Sequence, residues 1–128
     1  MSTVPTVVIS NTAHGASNGP YNGTDINWYT PKYKGDGYYG YTDGLHTVSY
    51  KLTGFVGQIG MQASLATNPT DTDWFDLEDT QIGNAPINGI PGDAVTLSIY
   101  RNFNGNFVWV RVAVINFTAG TINRVLYN

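Results

Sequence analysis

The chain has 128 residues, a net charge of -3 and no cysteine, so residues 1–128 are expected to form one domain around a single core that needs no disulfide. Charged residues make up only 12% and the 6 Lys and Arg are scattered, which leaves no basic stripe for nucleic acid. No run approaches the ~20 apolar residues of a membrane span, and the start lacks the basic and apolar segments of a signal peptide, so neither membrane insertion nor export is expected.

Asn, Thr, Gly and Tyr take the place of the missing charges, a composition of strands and tight turns. The first strand is expected over residues 4–10. Residues 11–44 are crowded with Gly, Asn, Pro and Tyr and read as one long loop region, too aromatic to be disordered.

From residue 45 onward the hydrophobic period is two. His46, Val48, Tyr50 and Leu52 share one face of a strand, and Ile59, Met61, Ala63 and Leu65 share one face of the next. Residues 53–57, with Gly54 and Gly57, are expected to join them as a tight hairpin. Asn68-Pro69 marks a loop, Trp74, Phe75 and Leu77 a short strand, and residues 81–93 a long connection with two prolines.

Residues 94–101 alternate again, with Val95, Leu97 and Ile99 on one side. Residues 107–115 are apolar on nearly both faces, as a central strand would be, with Arg111 the exception. Trp109 is expected in the core, where alanine would cost about 3–5 kcal/mol. A turn at 116–120 and a last strand over 121–127 complete the set. About seven short strands separated by turn signals imply an all-β fold, an antiparallel β-sandwich of jelly-roll or immunoglobulin-like type.

The most informative cluster is Tyr21, Trp28, Tyr29, Tyr33, Tyr38, Tyr39 and Tyr41 in the N-terminal loop region. Aromatic side chains with a polar tip supply contact area at low entropic cost, so the seven are candidate interface or binding residues. Contact with another subunit is favoured. Stapling of the region onto its own sandwich, or a platform for sugar rings, are the alternatives.

The acidic run at 71–79 has the density of a calcium site but not its order of ligands, and a solvated, charge-protected strand edge is favoured. His14 and His46 have no second imidazole or cysteine beside them in the sequence, so no metal site and no cofactor are expected. No nucleophile elbow, phosphate loop or dinucleotide fingerprint is present, and Glu78 is the lone glutamate, so no catalytic residue is expected and the chain is read as a non-enzyme.

Several phrases together resemble a group of small virion structural proteins from contractile-tailed phages that infect marine cyanobacteria. They are VISNTAHGASNG at 8–19, YYGYTDGLHT at 38–47, QASLAT at 62–67 with DWFD at 73–76, and GNFVWVR at 105–111 with FTAGTI at 117–122. The resemblance implies a virion location after assembly in the host cytoplasm, with other virion proteins as partners. A capsid-decorating or cement protein contacting the major capsid protein, itself a homo-oligomer, is expected first. A tail, neck or fibre component is the second expectation. A lectin-like module binding a surface glycan is the third, from a different class.

Overall fold

The structure, a computed structural model, describes residues 6–35, 44–83 and 94–128. Nine strands account for most of them: β1 (Thr6–Ile9), β2 (Thr12–Ala13), β3 (Trp28–Tyr29), β4 (Tyr33–Lys34), β5 (Leu45–Ser64), β6 (Phe75–Asp76), β7 (Ile82–Gly83), β8 (Val95–Asn104) and β9 (Trp109–Tyr127). All pair antiparallel in one continuous sheet, as an all-β chain should.

The alternation expected in β5 and β9 is present except at Leu65. His46, Val48, Tyr50 and Leu52, then Ile59, Met61 and Ala63, are buried in β5, and Val110, Val112 and Val114 are buried in β9. Leu65 lies past the end of β5 and is exposed.

The joins differ from expectation. Residues 53–57 and 116–120 are not hairpin turns: each lies inside a long strand, and the two lie beside each other across the β5–β9 ladder. Register shifts between Thr53 and Val56 and between Val56 and Gln58 leave extra residues unpaired, the signature of β-bulges that bend a strand. Left-handed backbone makes this possible, with φ of 58° at Gly54 and 91° at Gly120. The two chains approach so closely here that a Cβ on Gly120 would strike the Gly54 carbonyl.

Both long strands therefore bend at one level, and the sheet folds over on itself. The proof lies at the far ends of β5. Phe107 sits 6.4 Å from the ring of His46, near the start of that strand, and 5.8 Å from Phe75, whose backbone neighbour Ala63 is near its end. In between, the Tyr50 hydroxyl of one half donates to the Thr80 carbonyl at 3.0 Å, while the Thr80 hydroxyl accepts from the Met61 amide of the other half at 2.9 Å.

Two layers result. The first contains β8, residues 45–52 of β5, residues 121–127 of β9, β1 and β2; the second contains β6, β7, residues 58–64 of β5, residues 109–115 of β9, β3 and β4. This is a sandwich whose layers share two strands, which cross between them at bends. The separate short strands of the expected sandwich are thus merged in pairs.

The N-terminal region is also different from the single loop expected. Chain 6–35 lies along the outer edge of β9, pairing Thr6 with Tyr127, Thr12 with Ile122, Trp28 with Val114 and Tyr33 with Val110. Amides of His14, Thr30 and Gly35 extend this ladder to the carbonyls of Gly120, Val112 and Val108. Strand β9 is consequently paired on both edges, as a central strand should be.

Aromatic groups close the core at both ends. At the bend, Tyr21, Trp28 and Phe55 surround Phe117 with centroids 5.1, 6.2 and 5.6 Å away. At the open end, His46 stacks on Phe103 at 5.0 Å and on Tyr127 at 5.8 Å. Its Nε2 lies 2.9 Å from the Gly105 carbonyl and its Nδ1 2.9 Å from the Tyr127 hydroxyl. An Nε2–H tautomer that accepts from the phenol satisfies both nitrogens.

Candidate functional site

The seven aromatic candidates divide. Tyr21 and Trp28 are 1% and 4% exposed, so as contact residues they are corrected: each is part of the core. The reason is local. Backbone bonds between Asn18 and Tyr21 form a tight turn, and the Tyr21 hydroxyl accepts from the Gly15 amide, which draws the ring inward over Phe117. Trp28 pairs with the inward-facing Val114 and follows it. Tyr33, opposite inward-facing Val110, is half-buried against the core. For these three the alternative of internal stapling accounts for the placement. Tyr38, Tyr39 and Tyr41 lie outside the described residues.

Tyr29 alone among the described candidates is largely open, at 43% exposure. It pairs with Ala113 and stands on the outer face of the second layer. There it belongs to a cluster that sequence reasoning missed. Arg111 projects from β9 with its guanidinium carbon 4.2 Å from the Tyr29 ring centre and 4.3 Å from that of Trp74. The cation is held between two π faces, each contact worth about 0.5–1 kcal/mol at a surface.

A hydrogen-bonded row fixes its position further. Arg111 Nε donates to Gln62 Oε1 at 2.8 Å, and Gln62 Nε2 donates to Asp76 Oδ1 at 2.9 Å. The row crosses β9, β5 and β6 in register, because Arg111 pairs with Gln62 and Gln62 with Asp76. Partial burial lowers the Arg111 pKa from its ordinary value, with Tyr29 and Asp71 acting in the other direction. The group stays protonated throughout the working range of a protein.

Trp109 lies beside this row, not in the core as expected. It is two residues from Arg111 and so shares its outward face, while Val110 and Val112 fill the interior. Its indole Nε1 donates to the Thr67 carbonyl at 2.9 Å, and the Lys32 ammonium sits 4.6 Å from its ring centre. The tryptophan of the core is Trp28.

The acidic run is exposed except for half-buried Trp74 and Leu77, and it ends against buried Thr80. The Thr70 amide donates to Asp73 at 2.7 Å, which caps a short 3-10 turn at Asp71–Asp73. Among the described residues no group of three or more His, Asp or Glu side chains is placed to hold a metal ion. Among them, too, no helix is long and apolar enough to cross a membrane.

A second surface is the margin of the first layer. Strand β8 pairs with β5 and, among the described residues, with no strand on its other side. Its outward residues include Tyr100 at 64% exposure. Arg101 lies opposite inward-facing Val48, and a charge turned inward on a margin limits indiscriminate strand addition. No protein-family model, no curated protein and no solved structure matches the chain.

Proposed function

We propose that this chain is a non-enzymatic structural protein of a phage particle that packs against neighbouring subunits, as a capsid-decorating or cement protein in preference to a tail, neck or fibre component. The observation that carries the reading is the Tyr29–Arg111–Trp74 stack on the outer face of the second layer. Trp, Tyr and Arg are the residue types that dominate binding energy between proteins; here β3 and β9 carry Tyr29 and Arg111, and Trp74 sits between a short 3-10 turn and β6, so the three meet before any partner arrives. The resemblance of several sequence phrases to small cyanophage virion proteins supplies the particle. Homo-oligomerisation is part of the proposal, and the margin of β8, which among the described residues pairs with no second strand, supports it.

Co-sedimentation of the purified chain with emptied heads of a cyanobacterial contractile-tailed phage tests the reading. Saturable binding that is lost when Tyr29 and Trp74 are both changed to Ala is expected. Binding of the isolated monomer to a glycan array, with none to heads, would replace it by the lectin-like alternative.

A further inference from the structure

Arg111 is more completely prepared than a surface arginine needs to be. Two rings restrain its plane, Gln62 takes its Nε–H, and Asp76 in turn orients Gln62. Among the described residues neither terminal amino group of its fork has a hydrogen-bond or ion-pair partner. A long side chain ordinarily loses much rotamer freedom when it engages a ligand, and here the two rings and the Gln62 bond already reduce that freedom. What remains, on a side chain that is only partly buried, is a planar set of donors of the kind that meets a carboxylate through two parallel bonds.

We propose that Arg111 is the receptor for a carboxylate presented by an Asp or Glu side chain of a partner protein subunit. This rests on the reading of the outer face as a subunit contact. A carboxylate is preferred to a phosphate because Asp71 and Asp76 stand close by on a chain of net charge -3, and a doubly charged anion meets more repulsion there than a singly charged one. A protein is preferred to an acidic sugar because the inward faces of Tyr29 and Trp74 are already covered by the guanidinium, and that of Trp109 by Lys32. Stacking platforms for sugar rings are therefore partly spent.

The test uses the full chain labelled with nitrogen-15, titrated separately with N-acetylglutamic acid α-amide, glucuronic acid, inorganic phosphate and sodium chloride. The Arg111 Nε–H and the Trp74 indole N–H report binding. Saturable shifts with the glutamate derivative are expected, with affinity about tenfold weaker in Arg111→Lys, which keeps the charge and loses the fork. Equal affinity in Arg111→Lys, or no saturation in the unchanged chain, overturns the proposal. Affinity about tenfold tighter for phosphate or for glucuronic acid overturns it in favour of that ligand. Co-sedimentation with phage heads separates the two levels. Undiminished binding by Arg111→Lys, where the Tyr29 and Trp74 double variant fails, sinks the carboxylate site alone; absence of binding by the unchanged chain sinks the subunit contact, and the titration still decides the chemistry.

Discussion

Phe55 and Phe117 stack with ring centroids 5.6 Å apart and planes 29° apart, one from each long strand at the level where both bend. Both are fully buried. The bulges in β5 and β9 turn these rings inward, and the rings fill the space the bend creates.

Phe117→Ala should therefore remove the keystone of the fold. Loss of a buried phenylalanine costs about 3–5 kcal/mol, and here three further rings lose their partner. A urea midpoint close to that of the unchanged chain would contradict the packing described for the bend.

The two tryptophans of opposite facing should separate cleanly. Trp28→Ala is expected to cost about 3–5 kcal/mol. Trp109→Ala should cost less, about 1–2 kcal/mol, because its half-buried ring gives up surface contacts such as the Lys32 cation–π contact and the Thr67 hydrogen bond and not a place in the core. Urea unfolding of the pair checks the order, and a reversed order would place the interior on the wrong side of β9.

Glycines at the bend offer a second contrast. At Gly54 the backbone is left-handed but an added Cβ meets nothing within 4 Å, so Gly54→Ala should cost about 1 kcal/mol. Gly120→Ala adds a collision with the Gly54 carbonyl to a φ of 91°, and about 2 kcal/mol or more is expected. Thermal melts of both variants give the comparison.

Alkaline stability should depend on Tyr50. Burial raises its pKa well above the usual phenol range, with the Thr80 side chain and the charge of Arg101 working against that. The folded state thus holds the phenolic proton more tightly than the unfolded chain. Its contribution is fully present below the ordinary phenol value of about 10 and is lost as pH rises beyond it. Tyr50→Phe should cost about 1 kcal/mol at neutral pH through the lost bond to Thr80, and should lose less stability between about pH 10 and pH 11 than the unchanged chain. Urea unfolding at several pH values measures both.

Much of the strand content was legible in residues 45–52, 58–64, 95–101 and 109–115, because alternation is a local property and survives any topology. The bends were not. A glycine pair such as Gly54 and Gly57 serves a hairpin and a bulge equally well, and only the neighbour across the ladder, residues 116–120, distinguishes them. The N-terminal segment hid for another reason: β2, β3 and β4 are two residues each, too short to carry a period. Arg111 was noticed as an exception on its strand, and its parity with Trp109 was the available signal that the tryptophan faces outward. Its partners Tyr29 and Trp74 come from distant parts of the chain, and no local pattern unites them.

Pairing of Thr6 with Tyr127 sets the order in which the molecule can be completed. As the chain emerges during synthesis, its leading segment has no ladder to join until β9, the last strand, has been made. Such late, non-local closure slows folding and leaves unsatisfied backbone waiting in the meantime. The frequent glycine and the two prolines of residues 11–35 suit that interval, since a segment with little alternating apolar character has little tendency to pair with the wrong strand while it waits.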